Sequence, residues 1–177
     1  MKKLQEAGTV FSPRCTSPEL GDATTTLLGF GDGSTLAYAA MIYMISTSPN
    51  GKVEVNLVPA KARVAPLGGT TTPRMEISLA ALLSRLALLV LENCGLRPRA
   101  VFMALDCECV VAALQRCSGL LKPLFAHRAA EIDDNIKEMR KLCFSVDPKF
   151  SGEENPVDIA TRGTADVAYT PREKWPI

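Results

Sequence analysis

The chain has 177 residues, a length that suits one domain with short additional segments. Hydrophobic residues make up 47% of it and charged residues 22%, so the chain can build a sizeable core and general disorder is excluded. Its formal net charge of +1 excludes a strong basic field that would by itself attract nucleic acid.

The first part of the chain predicts an irregular segment followed by three strands. Residues 1–24 contain turn-forming pairs and little periodicity, which is typical of a lead-in without regular structure. Residues 27–32 form a short apolar run that ends on Asp32, and residues 36–46 are rich in β-forming and aromatic side chains. A Pro-Asn-Gly turn signal then precedes residues 53–58, which alternate apolar and polar side chains. We therefore expect three antiparallel strands.

Helices and strands alternate in the second part. A loop over residues 66–73 precedes a helix predicted at 75–93, with Gly95 as its stop, and a compact apolar strand at 100–105 ends on Asp106. The remaining predicted elements are a short helix at 110–115, a longer helix at 126–141, a strand at 142–146 and a final helix that starts at 155. This order predicts an α/β fold in which helices flank a mixed sheet. The domain is expected to span residues 25–163, with residues 164–177 as a C-terminal tail.

The cysteines and the N-terminus indicate where the protein works. No apolar run approaches the roughly 18 residues of a membrane span, and the first residues lack the apolar stretch of a secretory signal. Six cysteines are present, without any C-x-x-C pair and with His127 as the single histidine, which argues against zinc. We predict six reduced thiols, an intracellular location and no membrane partner.

Several familiar motifs fail on inspection. The segment Gly29–Ser34 resembles a dinucleotide-binding fingerprint, but Ser34 takes the place of its third glycine, and the lysine of a phosphate-binding loop is absent. Asp32-Gly33-Ser34 is not the Asp, Ser or Thr, Gly sequence of an aspartic protease. His127 could serve a nucleophile, but no serine or cysteine lies in a recognisable elbow context.

Four carboxylates lie at the ends of predicted elements: Asp32, Glu76, Asp106 and Asp158. Three have ordinary explanations, Asp32 as a turn residue and the other two, Glu76 and Asp158, as acids favoured in the first turn of a helix. Asp106 is harder to explain in this way, because α/β sheets place their sites at the carboxyl ends of strands. Together the four would offer hard oxygen ligands of the kind that Mg²⁺ and Mn²⁺ prefer, and two such ions can clamp a phosphodiester.

The order Asp, Glu, Asp, Asp on the first strand, first helix, fourth strand and last helix resembles ribonuclease H. The surrounding segments are similar to the RNase H domain of BEL/Pao-type retrotransposon polyproteins. The similarity spans about residues 13–163 and is carried by Pro13–Cys15, Leu28–Ser34, Ala60–Leu67, Thr72–Ile77, Leu79–Leu83 and Gly152–Gly163. Pro73-Arg74-Met75-Glu76 and Glu154-Asn155-Pro156-Val157-Asp158 are its most specific parts.

The resemblance implies an RNase H-like fold with a mixed five-stranded sheet whose first three strands are antiparallel. It also implies a metal-dependent endonuclease that cuts the RNA strand of RNA–DNA hybrids during reverse transcription. Asp32 and Asp106 would hold two Mg²⁺ (or Mn²⁺) ions most directly, Glu76 would lie near the 2′-hydroxyl, and Asp158 would hold the second ion. The implied partners are the RNA–DNA hybrid and an adjacent reverse transcriptase domain, in the cytoplasm or within a virus-like particle.

Some residues depart from the pattern that the resemblance sets. Cys107 follows Asp106 where relatives carry serine, and Lys149–Gly152 stands where relatives carry a histidine in the last loop. These departures favour an alternative, a catalytically silent retroelement-derived module that binds or scaffolds. An integrase-type core is excluded by order, because its glutamate comes last whereas Glu76 comes second.

Overall fold

The protein is represented by a computed structural model that describes residues 23–93, 95, 97–105, 110, 121–143 and 145–147. Its elements in chain order are β1 Thr24–Gly33, β2 Ala37–Thr47, β3 Val53–Val64, α1 Thr72–Asn93, β4 Ala100–Leu105, α2 Pro123–Leu142 and β5 Val146–Asp147. The predicted helix over 110–115 is described only at Val110, which is helical, and the predicted final helix lies outside the described residues.

The strands form one mixed sheet in the order β3-β2-β1-β4-β5. β2 is antiparallel to both β1 and β3, whereas β4 is parallel to β1 and β5 is parallel to β4. Helix α1 connects β3 to β4, since a chain that must return in the same direction needs a crossover. The predicted mixed five-stranded sheet with three antiparallel strands first is confirmed, and β5 contributes only two residues to it.

Helix α1 begins three residues earlier than predicted, at Thr72 instead of Met75. The Thr71 carbonyl accepts the first helical hydrogen bonds, from the backbone N–H groups of Arg74 at 2.9 Å and Met75 at 3.1 Å. Proline is tolerated in a first turn because the N–H that it lacks has no partner there, so Pro73 does not delay the start. Glu76 is consequently the fifth helical residue, and its explanation as a first-turn acid no longer holds.

Strand β3 is twice as long as predicted and forms one edge of the sheet. It runs on from the predicted end at Val58 to Val64, where it pairs with Ala37 at the start of β2. A register shift opposite Met41 and Tyr43 accommodates Pro59, which cannot donate a ladder hydrogen bond. The half-buried alternation that identifies a strand is absent after Pro59, because the edge strand there is exposed.

The predicted strand at 142–146 is wrong over most of its length. Helix α2 continues through Leu142, and the Cys143 N–H still donates to the Met139 carbonyl at 3.1 Å. Short apolar runs do not distinguish a strand from a last helical turn, and here the fully buried Met139 anchors the helical alternative. α2 also begins at Pro123, three residues before the predicted start.

Helix α1 packs against β1 through strand positions that have no side chain. A Cβ added at Gly31 would lie 2.7 Å from Cδ2 of Leu105 and 2.9 Å from Cδ1 of Leu79, closer than real Cβ contacts. At Gly29 it would lie 3.0 Å from Cδ1 of Leu83. The glycine alternation that resembled a dinucleotide fingerprint is therefore explained by the close approach of a helix to a strand.

Two polar residues interrupt the apolar run of α1, and both contact α2. Ser84 is fully buried, donates to the Ala81 carbonyl at 3.1 Å and accepts a hydrogen bond from Asn135 Nδ2 at 2.9 Å. Arg85 forms an ion pair with Glu131, which also accepts from Arg128 at 2.7 Å. These contacts set the register of the two helices, because a buried polar group is costly unless it is hydrogen-bonded.

The opposite face of the sheet carries a smaller core of Phe30, Ala39 and Tyr43. The Phe30 and Tyr43 rings meet edge to face, with centroids 6.0 Å apart. Tyr43 is 4% exposed and its hydroxyl donates to Met41 Sδ at 3.1 Å. Burial raises the pKa of Tyr43 to about 12, because the phenolate would lose its hydration.

This raised pKa predicts that stability falls in alkaline solution. Unfolded tyrosine releases its proton near pH 10 while folded Tyr43 keeps it to about 12, so unfolding releases a proton between these values. The contribution of Tyr43 is complete below pH 10 and is lost as the pH rises towards 12, by about 1–3 kcal/mol. The free energy of unfolding should be measured by urea titration over this range. Tyr43→Phe should show a shallower decline, and an equal decline in both proteins would contradict the assignment.

One of the six cysteines, Cys143, lies within the described residues. Its thiol is partly buried and lies 3.1 Å from the Met139 carbonyl oxygen, and burial raises its pKa. The other five lie outside the described residues, so the prediction of six reduced thiols stays a prediction. Thiol counting under denaturing, non-reducing conditions should find six free groups. Four or fewer would contradict the intracellular assignment.

Among the described helices, none is both long enough and apolar enough to cross a membrane.

Candidate functional site

Asp32 lies near the carboxyl end of β1, where the residues are only partly buried. It is the last but one residue of the strand, pairs with Ala39 of β2 and is partly buried. The glycines on either side point towards α1, so alternation directs the Asp32 side chain to the other face of the sheet. The carboxylate therefore starts at the rim of the sheet, where ions and solvent can reach it.

The Ser34 hydroxyl and a backbone hydrogen bond stabilise the turn after Asp32. Ser34 Oγ accepts hydrogen bonds from the backbone N–H groups of Leu36 at 3.1 Å and Ala37 at 3.2 Å. The Ser34 N–H also donates to the Ala37 carbonyl at 2.8 Å. The sequence marks Ser34 as a departure from two motifs and as the end of the similar segment Leu28–Ser34, but it does not indicate that Ser34 fixes the strand end next to Asp32.

The register of β1 and β4 places two strand ends side by side. The last pair of their parallel ladder is Gly31 with Leu105, the residues that come directly before Asp32 and Asp106. The carboxyl ends of both strands therefore lie next to each other at the same end of the sheet, where α/β folds place their sites. Asp106 itself lies outside the described residues, as does Asp158.

Helix α1 brings Glu76 to this same end. Leu79, one turn further along the helix, is the residue against which Gly31 packs, and the Met75 carbonyl carbon would lie 3.7 Å from a Cβ at Gly33. Glu76 is partly buried, like Asp32. The structure thus brings the backbone positions around Asp32 and Glu76 to one end of β1, next to the end of β4.

The donor types at this end suit a hard divalent cation. Asp32 and Glu76 supply carboxylate oxygens, the ligands that Mg²⁺ and Mn²⁺ prefer. No group of three metal-binding side chains occurs within the described residues. Two of the four predicted acids are outside that part of the chain, so their assembly stays a prediction.

The prediction is that the carboxylates of Asp32, Glu76, Asp106 and Asp158 converge beyond the ends of β1 and β4. Asp32 lies on one face of the sheet, and Glu76 lies on the helix that covers the other face. Their side chains can therefore meet beyond the ends of the strands. A crystal structure grown with Mn²⁺ should show all four around one metal site, by anomalous scattering. A carboxylate of Asp32, Glu76 or Asp106 turned away from the other two would refute the assignment.

Comparison with known families finds one that matches most of the chain. The family of Pao retrotransposon-like RNaseH-like domains matches residues 1–107. The matched range contains Asp32, Glu76 and Asp106, ends before Asp158, and includes the segment 1–24 that was expected to precede the domain. No curated protein matches the chain.

Solved structures to which this chain is similar include ribonuclease H domains. The N-terminal RNase H domain of Rv2228c from Mycobacterium tuberculosis is 10% identical, over 73% of this chain and 83% of that one, with a TM-score of 0.43. LC11-RNase H1 in complex with an RNA/DNA hybrid is 15% identical, over 74% and 87%, with a TM-score of 0.44. Prototype foamy virus protease-reverse transcriptase is 13% identical, over 88% and 20%, with a TM-score of 0.45.

Proposed function

We propose that this chain, which belongs to the family of Pao retrotransposon-like RNaseH-like domains, is a metal-dependent endonuclease that hydrolyses the RNA strand of RNA–DNA hybrids. Family membership supports an RNase H-like domain of retrotransposon type. The finer statement, that it cleaves hybrids with two metal ions, rests on the residues at the end of β1.

One observation carries the proposal. Gly31, Leu105 and Leu79 pack against one another, and each lies one to three positions from a predicted site acid, namely Asp32, Asp106 and Glu76. Acids at these three positions would repel one another and raise each other's pKa unless a cation were bound between them. A bound cation therefore explains why all three positions carry a carboxylate.

The four acids would divide the work as follows. Asp32 and Asp106, at the ends of adjacent strands, would hold both ions, with Glu76 and Asp158 completing the ligand set. When bound, Mg²⁺ or Mn²⁺ ions supply positive charge that neutralises the phosphodiester and lower the pKa of water. Glu76 would also face the 2′-hydroxyl, the group that distinguishes RNA from DNA. The Ser34 turn would keep the Asp32 backbone in place as charge develops on the substrate.

The proposed partners follow from the substrate. The chain carries a net charge of only +1, so a neighbouring reverse transcriptase domain would supply much of the affinity for the hybrid. The proposed setting is reverse transcription in the cytoplasm or within a virus-like particle.

The test is incubation of the full chain with a labelled RNA–DNA hybrid in Mg²⁺ and, separately, in Mn²⁺. Single-stranded RNA and duplex DNA are the controls. We expect cleavage of the hybrid RNA strand alone, with 5′-phosphate and 3′-hydroxyl products. Cleavage of all substrates alike would contradict the proposed specificity.

The second candidate is a catalytically silent binding or scaffolding module. Cys107 beside Asp106 and Lys149–Gly152 in place of the last-loop histidine favour it. Absence of both hybrid cleavage and any metal-dependent rise in melting temperature would make this module the better account.

A further inference from the structure

The last third of β3 carries two cations that the proposed chemistry does not use. Lys61 and Arg63 are exposed and lie two positions apart, so they share one face of the strand. They belong to Ala60–Leu67, one of the segments that carry the family resemblance, and the resemblance implies no role for this segment.

The sheet register places both cations beside the proposed site. Lys61 pairs with Ala40 of β2, which in turn pairs with Gly31 of β1. Arg63 pairs with Tyr38 of β2, which in turn pairs with Gly33 of β1. These two rows flank Asp32. Two strand spacings separate β3 from β1, which puts the cations about 10 Å from the Asp32 backbone.

A third cation lies on the neighbouring helix. Arg74 is exposed in the first turn of α1, two residues before Glu76, and that turn contains no acidic side chain. Ala40 belongs to the core that α1 covers, so Lys61 and Arg63 are on the same side of the sheet as Arg74. The three define a basic edge, Lys61, Arg63 and Arg74, around one side of the site.

The members of the basic edge differ from many other cations of the protein. Lys137 and Lys141 of α2 each pair with an acid on their own helix, at 2.6 Å from Asp133 and Glu138, and Lys52 pairs with Glu54 at 2.8 Å. Within the described part of the chain, the basic edge forms no ion pair. Cations that no described acid neutralises, beside the proposed phosphodiester-cleaving site, are available for phosphate oxygens.

We infer that the basic edge binds the sugar-phosphate backbone of the hybrid next to the scissile phosphodiester, an inference that rests on the proposed function. Phosphates follow one another about every 3.4 Å along the helix axis of each strand. A duplex with one phosphodiester at the proposed site therefore has further phosphates within the roughly 10 Å that separate β3 from the Asp32 backbone. Contacts of this kind position the substrate and are independent of base sequence.

The test measures binding apart from cleavage. Fluorescence anisotropy of a labelled RNA–DNA hybrid in EDTA, over about 50–200 mM salt, gives the affinity of the full chain and its salt dependence. In Lys61→Gln/Arg63→Gln we expect at least about tenfold weaker binding and a log–log salt slope smaller by about 2. Lys61→Arg/Arg63→Lys, which keeps both charges, should retain the parent slope.

A matched control removes two charges at the other end of the sheet. Arg97 and Arg99 are also exposed and two positions apart, but the Arg99 N–H donates to the carbonyl of Thr25, near the start of β1. Arg97→Gln/Arg99→Gln should bind the hybrid like the parent. Equal loss in both variants would show a general charge effect and overturn the inference.

Other outcomes separate the two proposals. If the parent cleaves the hybrid and Lys61→Gln/Arg63→Gln binds it as tightly as the parent does, only the inference is overturned. The basic edge then suits an acidic protein partner better. A parent that binds hybrid through the basic edge but cleaves nothing in Mg²⁺ or Mn²⁺ overturns the nuclease and supports the binding surface. A parent that binds no hybrid overturns the inference.

Discussion

Asp106→Asn is expected to abolish cleavage of the RNA–DNA hybrid, by at least about 100-fold, while the fold persists. The amide keeps the size of the side chain and removes the anionic charge with which the residue would hold the cations. Loss of one ligand from a shared set weakens the hold on both ions, and the reaction depends on their charge. Initial rates in Mg²⁺ and Mn²⁺ measure the effect.

The stability of the same variant distinguishes a site acid from a structural one. Without metal, Asp106→Asn should be as stable as the parent or slightly more stable, because repulsion among clustered carboxylates is relieved. Divalent cations should raise the melting temperature of the parent by binding the folded state, and that of the variant much less.

A control variant tests whether the loss is specific to the site. Asp134→Asn makes the same chemical change on the outer surface of α2, where the Asp134 side chain is 74% exposed and lies 3.3 Å from Lys137. Its stability should change little, because exposed ion pairs contribute little to stability. Its cleavage rate should equal that of the parent, because Asp134 is not one of the proposed site acids. If Asp106→Asn also cleaves as fast as the parent, the proposed mechanism is wrong.

Gly31→Ala is expected to destabilise the protein by about 1–3 kcal/mol, although it adds only one methyl group. The new Cβ would meet Leu105 Cδ2 at 2.7 Å and Leu79 Cδ1 at 2.9 Å, and both leucines are 3% exposed. The packed core around them leaves those side chains little room to move. Urea denaturation should show a lower midpoint with an unchanged slope.

Gly68→Ala is the matched control for this prediction. Nothing lies within 4 Å of a Cβ at Gly68, and its backbone is outside the left-handed region that favours glycine. Its stability should equal the parent's or exceed it slightly, because alanine restricts the unfolded chain. If Gly31→Ala unfolds at the same urea concentration as Gly68→Ala, the close contact between α1 and β1 is not as described.

Much of the β-sheet could be predicted locally. The apolar run at residues 27–32 of β1, the turn at residues 49–51 and the compact strand Ala100–Leu105 each depend on neighbours in sequence, and the structure confirms all three. The second half of β3 could not be predicted in this way. Lys61 and Arg63 alternate with small residues on an exposed edge, and only pairing with β2 makes the segment a strand.

The same division applies to the candidate site. The positions of Asp32 and Glu76 near element ends could be inferred from sequence, and the family resemblance is confirmed by the match over residues 1–107. The start of α1 at Thr72 could not, because Pro73 looks like a loop residue until the Thr71 carbonyl is seen to accept the first helical bonds.

The sequence by itself determined the order of the described elements and the identity of the candidate acids, because these depend on local periodicity and on residue types, and its resemblance to known segments identified the family. Only the tertiary structure decided that Gly29 and Gly31 are a packing surface for α1, that Ser84 meets Asn135 across two helices, and that Lys61 and Arg63 flank the rim beside Asp32. Each of these contacts joins residues distant in sequence. Their energies depend on register and close packing, which no local pattern encodes.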